Sequence, residues 1–177
     1  MELTQEQKGK IGETAVMLEL LKKGFNVINI NNSYPNYKNA DLICMNANNG
    51  KSVMIQVKTG TTHNILTGFT SELDGTIQKL EESIIGPWVF VYMPDDKMSN
   101  MKFYILTREE VIELIYSSNK WYATEYYRKL KKKYPVGVYV DWLEGGSSKA
   151  TKLHPEYKST LHQTSKDNWW KITELLK

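Results

Sequence analysis

The sequence has a single cysteine, Cys44, and only three histidines among 177 residues. One thiol excludes an internal disulfide and suits a reducing, cytoplasmic setting. His63, His154 and His162 are scattered, and together with Cys44 they offer no zinc-ligand spacing. Charge of one sign is also scarce, because 23 Lys and Arg against 20 Asp and Glu leave a net +3. So mild a balance does not mark a general nucleic-acid binder, and any basic surface has to be local. Long apolar runs are missing as well. The longest, residues 84–93, is interrupted by Gly86-Pro87 and is too short to span a bilayer. The first residues, Met1-Glu2-Leu3-Thr4-Gln5, are polar and hold no apolar signal region. With 41% hydrophobic and 24% charged residues, the chain still has the make-up of a globular protein able to bury its own core. A soluble cytoplasmic protein without membrane association is expected.

Thr4 and Gln7 have capping-box spacing, which predicts a helix over residues 5–23 closed by Gly24. Ile11, Ala15, Leu18 and Leu21 line one face, while Val16, Met17 and Leu20 make the other apolar, so burial on two sides is expected. Strands are predicted over 25–30, 40–45 and 51–58, the last two joined at Asn48-Asn49-Gly50 as a hairpin. A polar segment then leads to a helix over 74–84, and the apolar run 88–93 reads as a strand covered on both faces. Further along come a strand over 102–106 and a helix from Thr107 to about Tyr116, with Glu110 completing its capping box. A helix over 120–133, a strand over 136–140 and a Gly/Ser/Thr/Lys-rich ordered loop over 145–165 follow. Ser165 or Asp167 would cap a final helix carrying Trp169, Trp170, Ile172 and Leu175. The reading is an α/β mixed sheet flanked by helices, with a main domain over 1–144 and a C-terminal loop and helix over 145–177 packed on it.

The hairpin brings chemistry together. With Asn49-Gly50 as its loop, Asp41 lies across from Lys58; with Asn48-Asn49, it lies across from Gln56 with Lys58 beside it. Either way a carboxylate, a carboxamide and an ammonium share one sheet face, and only a one-residue slip would scatter them. Glu13 is a carboxylate among apolar helical neighbours and calls for a partner or a metal ion. The plain alternative is a cross-strand ion pair between Asp41 and Lys58 with no chemistry attached.

This set of residues resembles the PD-(D/E)XK, or restriction-endonuclease-like, superfamily. Glu13, within Gly9-Lys10-Ile11-Gly12-Glu13, matches its first-helix glutamate, and Asp41, in Ala40-Asp41-Leu42-Ile43, matches its metal-binding aspartate. Gln56-Val57-Lys58 matches the (D/E)XK tripeptide in its glutamine variant, and the predicted order is the family's αβββαβ core over roughly the first half of the chain. The resemblance implies a metal-dependent endonuclease acting on DNA. A Mg²⁺ or Mn²⁺ ion would be held by Asp41, Gln56, the Val57 carbonyl and Glu13. Lys58 would orient the attacking water or stabilise developing charge. Two carboxylates about 4 Å apart repel by roughly 4 kcal/mol at an effective dielectric of about 20, a cost that a cation relieves. No Pro precedes Asp41 and Gln56 replaces an acid, so one weakly held metal is expected rather than two. The alternative is an inactive module of this fold that binds nucleic acid or a protein partner, and a homodimer is compatible with either.

Arg128, Lys129, Lys131, Lys132 and Lys133 follow a cluster of aromatics and are candidates for gripping phosphates. A solvated amphipathic helix explains them equally well. Trp169-Trp170 reads first as part of a helix covering the core.

Overall fold

The computed structural model describes residues 3–32, 37–94, 98–126, 132–149 and 156–177. Helix α1 spans Gln5–Lys22. The Thr4 hydroxyl accepts the Gln7 N–H at 3.2 Å and the Gln7 side chain accepts the Thr4 N–H at 2.9 Å, so two orphan donors are satisfied reciprocally. Gly24, at φ +87°, closes the helix as expected. Burial follows one stripe, Lys8, Gly12, Val16 and Leu20. The expectation of two buried faces is corrected here. Among the described residues only the sheet side is covered, and Leu18 and Leu21 stay exposed.

The hairpin consists of β2 (Leu42–Met45) and β3 (Ser52–Gly60), and β1 (Asn26–Asn29) lies antiparallel along the outside of β2. Leu42 pairs with Ile55 and Met45 with Ser52, which is the Asn48-Asn49 register. The Asn46 N–H donates to the Lys51 carbonyl at 2.9 Å and fixes that choice. β3 runs parallel to β5 (Trp88–Tyr92), and β5 is antiparallel to β6 (Lys102–Leu106), giving the mixed order β1-β2-β3-β5-β6. The expected α/β class and the helix, three strands, helix, strand order are both present, with one strand inserted.

That insertion is β4 (Asn64–Ser71), absent from the expected elements, where a polar segment was read. It pairs antiparallel with the distant β7 (Tyr134–Tyr139) in a separate two-stranded sheet. Its alternation of buried Ile65, Thr67 and Ser71 with exposed positions is strand-like, but Gly68 at φ +89° and the hydroxyl side chains blur the pattern. The helix expected over 74–84 shrinks to α2 (Leu80–Ser83). Conversely, α3 (Arg108–Trp121) is longer than expected and begins with the Thr107–Glu110 capping box. The helix expected over 120–133 does not form as such. The chain makes a π-type turn over Tyr122–Tyr126, residues 127–131 lie outside the described residues, and β7 begins at Tyr134.

Strand alternation on β5 divides the core in two. Trp88, Phe90 and Tyr92 point to a cluster with α3, β7 and α4 (Val140–Leu143). Val89 and Val91 point the other way, to Val16 and Leu20 of α1 and to Trp169, Ile172 and Leu176. Those last residues flank and form α5 (Trp170–Thr173), whose N-cap is Trp169 without a side-chain cap. Neither expected cap acts: Asp167 has φ +53° and the Ser165 hydroxyl donates to the Leu143 carbonyl at 2.7 Å. The loop expected over 145–165 contains the short pair β8 (Ser147–Ser148) and β9 (Tyr157–Lys158). No helix among the described residues is long and apolar enough to cross a membrane.

A β-carbon methyl at Gly12 would stand 1.9 Å from Thr59 Oγ1, whereas one at Gly9 meets nothing within 4 Å. Gly12→Ala should therefore cost about 1–3 kcal/mol by overpacking. Gly9→Ala should stabilise the protein by about 0.5–1 kcal/mol through helix propensity. Urea unfolding of both variants checks the pair of signs, and equal effects would place the helix farther from the sheet.

Candidate functional site

Asp41 ends the connection into β2, one residue beyond the Leu42–Ile55 pair, so it faces Gln56 across the hairpin. Glu13 comes from α1, immediately after the glycine that lets the helix lie close to β3. Glu13, Asp41, Gln56 and Lys58 all line one open cleft of about 710 Å³, with Lys10, Asn31, Tyr37 and Lys38. The structure thus brings the four side chains together.

Asp41 is buried and its oxygens are met by donors. Oδ2 accepts the Val57 N–H at 2.7 Å and the Gln56 side-chain amide, and Oδ1 accepts Asn31 Nδ2 at 3.1 Å. A strand residue directs its N–H and C=O to the same side, so the Val57 carbonyl also lies toward Asp41. Glu13 accepts Asn29 Nδ2 at 2.8 Å through Oε2 and Asn31 Nδ2 at 3.5 Å through Oε1. The Asn31 amide therefore bridges the two carboxylates. Asn29 steadies it in turn, because its Oδ1 accepts the Asn31 backbone N–H at 2.9 Å.

Asn29 and Asn31 are the site residues that the sequence reading missed. Asparagines after a strand read as turn formers. The available signal was their spacing of two at the end of β1, which puts both amides within reach of one carboxylate.

Burial raises the Glu13 pKa, with the Asp41 charge adding to the rise and the Asn29 and Asn31 hydrogen bonds opposing it. Burial likewise pushes the Lys58 ammonium below the usual lysine range, against the pull of Asp41 and Glu13. Lys58 forms no ion pair within 4 Å among the described residues, so the plain Asp41–Lys58 bridge is not what the cleft contains. Its Nζ instead lies over the Trp88 ring, 5.3 Å from the centroid, and a β-carbon at Gly68 would stand 3.5 Å away. The ammonium is held between an aromatic face and a glycine.

No group of three or more His, Cys, Asp or Glu side chains gathers around a shared point among the described residues. Any cation in the cleft would depend on Asp41 and Glu13, with the Gln56 and Asn31 amide oxygens and the Val57 carbonyl completing the set. Such an all-oxygen set fits a hard ion that keeps several waters, as Mg²⁺ does. Each amide presents its oxygen after a half-turn of its terminal torsion.

The remaining candidates stand apart. Lys132 is exposed, and Lys133 pairs with Glu72 at 2.7 Å on the surface. Arg128, Lys129 and Lys131 lie outside the described residues. His63 packs its ring 5.2 Å from Tyr92 and does not line the cleft.

No protein family and no curated protein matches the chain. Among solved structures it is similar to a bacterial homing endonuclease (I-Ssp6803I) at 12% identity and a TM-score of 0.49, over 99% of this chain and 95% of that one. A likeness of that strength decides nothing about activity.

Because Glu13 holds its proton more tightly folded than unfolded, its contribution to stability is full below the ordinary carboxylate range and is lost as pH rises through its folded pKa. Glu13→Gln cannot ionise and escapes that loss. Its stability relative to wild type should therefore increase as pH rises through the carboxylate range. Denaturant unfolding at a series of pH values reads the difference, and wild type gaining on the variant would reverse the assigned shift.

Proposed function

We propose that the protein is a metal-dependent nuclease that hydrolyses phosphodiester bonds, with DNA as its substrate. The observation that carries this is the convergence of Glu13, Asp41 and Gln56 with a Lys58 ammonium that pairs with neither carboxylate. An ammonium committed to an ion bridge has little left for a substrate. One left unpaired in a partly desolvated cleft acts strongly on charge that develops nearby. The resemblance of Asp41 and Gln56-Val57-Lys58 to the PD-(D/E)XK pattern supports DNA as the substrate class.

Asp41 and Glu13, with Gln56 and the Val57 carbonyl, would hold Mg²⁺ or Mn²⁺. Bound there, the ion would supply charge to the scissile phosphate and acidify a water. The chain's own groups do the rest. The Val57 N–H and the Gln56 amide fix the Asp41 carboxylate, and Asn29 with Asn31 fixes Glu13 beside it. Lys58 meets the negative charge that grows on the phosphate oxygens, and Lys38 offers the flanking phosphates positive charge at the rim. Lys132 and Lys133, with Arg128, Lys129 and Lys131, would add phosphate contacts. The exposed Lys133–Glu72 bridge is worth roughly 0–1 kcal/mol and yields readily to a phosphate.

A second reading, binding without cutting, draws on the three amide donors that already occupy Asp41. Assays over DNA and RNA with Mg²⁺ and Mn²⁺ separate the two readings. Cleavage of DNA is expected, and binding without cleavage under every condition would favour the second.

Mg²⁺ or Mn²⁺ should raise the melting temperature of the wild type by selective binding to the folded state, and Asp41→Asn should remove the rise. A rise that survives in the variant puts the ion elsewhere. In single-turnover cleavage, Lys58→Met should slow the reaction roughly 10²–10³-fold while substrate binding persists. Because the charge it removes is desolvated in the folded state, the same variant should be at least as stable as wild type. A well-folded Lys58→Met protein cutting at the wild-type rate would remove Lys58 from the chemistry.

A further inference from the structure

The indole of Trp88 is buried, and its Nε1–H has no hydrogen-bond partner among the described residues. A buried donor left unmet is destabilising. A ring without an N–H would fill apolar space free of that cost, so packing alone does not account for an indole here. What an indole offers beyond other side chains is the most strongly attracting π face for a cation. Over that face lies Lys58 Nζ, 5.3 Å from the ring centroid.

The ring is held firmly. Phe69 stacks on it almost parallel, with centroids 6.0 Å apart and planes at 9°, and Phe90 leans against it at 5.8 Å. A lysine stem has no such rigidity of its own, and ordering it costs rotamer entropy. β4, the strand inserted after β3, supplies both Phe69 and the residue before it. Its pairing with β7 shifts register between Leu66 and Thr70, where Gly68 takes φ +89°. A β-carbon at Gly68 would already stand 3.5 Å from Nζ, so a longer side chain there would enter the space that the ammonium uses. The irregularity in β4 thus leaves room for the ammonium against the Trp88 ring.

We propose that Trp88 is the positioning residue for Lys58, its ring face holding the ammonium at the cleft without neutralising it. An acid in the same place would hold the ammonium as firmly but cancel its charge. Asp41 and Glu13 are instead engaged with amide donors. A π face attracts a cation through its quadrupole and carries no net charge. The ammonium therefore keeps its full charge for a phosphate oxygen. What Lys58 then does rests on the nuclease reading, whereas where it is held rests on the ring geometry alone. The inserted β4 becomes part of the site, because it both braces the indole and leaves the space beside it.

Fluorinated tryptophans placed at position 88 alone test this in the full chain, because fluorine weakens the negative face and nearly preserves the ring's shape. Single-turnover cleavage of duplex DNA with Mg²⁺ should slow stepwise as fluorines are added, by roughly two- to thirtyfold in all, the range that a cation–π contact supports. The substrate concentration giving half the maximal rate should stay unchanged. In a Lys58→Met background the same series should change nothing further, since Trp88 acts through Lys58. A flat or rising rate with Lys58 present, or equal losses with and without it, would overturn the proposal. A second measurement needs no cleavage. In NMR spectra of protein labelled at lysine, free of DNA and metal, the Lys58 ε-methylene protons should lie upfield of free lysine through the ring current of Trp88. Their loss in Lys58→Met assigns them, and Trp88→Leu, with folding checked by circular dichroism, should move them back. An ordinary position in wild type overturns the proposal whether or not the protein cuts DNA. Upfield protons in a wild type that cuts nothing would uphold the contact and sink the nuclease reading alone.

Discussion

At Gly12 the backbone of α1 comes so near β3 that even a methyl group would collide with Thr59. That approach governs the cleft. It seats Val16 and Leu20 among Leu42, Ile55 and Val89, which anchors the helix on the sheet. It also carries the next residue, Glu13, to the end of β1, where Asn29 and Asn31 can hold it beside Asp41. Had the position carried any side chain, the helix would have to rise off the sheet, and Glu13 would lose contact with both asparagines. A buried carboxylate without donors is costly, so the close packing and the polar network depend on one another.

The cleft itself is built against stability. Burial works on Glu13 and Lys58 in opposite directions, disfavouring the charged form of each. Neither relieves the other by direct contact, because the ammonium lies over Trp88 and the carboxylates face asparagine and glutamine amides. Neutral amides satisfy lone pairs without cancelling charge. Two acids and one base thereby share a single cleft without a direct ion pair, an arrangement that a scaffold selected only for stability would replace with an ion pair or with apolar side chains.

Much of this was legible from residue types. Thr4 with Gln7, and Thr107 with Glu110, marked two helix starts correctly because capping is a local matter. The unbroken apolar run of β5 identified a strand buried on both faces, and the grouping of Asp41, Gln56 and Lys58 followed from strand alternation alone. What escaped the sequence was settled at long range. β4 is a strand because β7, about seventy residues away, completes it. The outer face of α1 looked buried because its side chains are apolar, although nothing among the described residues covers Leu18 and Leu21. The hairpin had two admissible loops, and the Asn46–Lys51 hydrogen bond separates them. Asn31 gave no sign of its importance, since its function depends on a helix and a strand arriving at the same place.

The second core cluster joins the earliest helix to the latest one. Val16 and Leu20 share one sheet face with Trp169, Ile172 and Leu176, in the same cluster as Leu42, Ile55, Val91 and Ile105. Lys171, buried, ties this late segment to the Glu110 carboxylate at 2.6 Å and 2.8 Å, at the start of α3. A chain emerging from the ribosome therefore makes β5 and β6 long before it makes their cover. Through that interval an apolar strand face stays open to water and to other nascent chains. Until residues 169–176 join it, this core cluster lacks part of its apolar cover, so the order in which the chain is made bears on how long that strand face stays exposed.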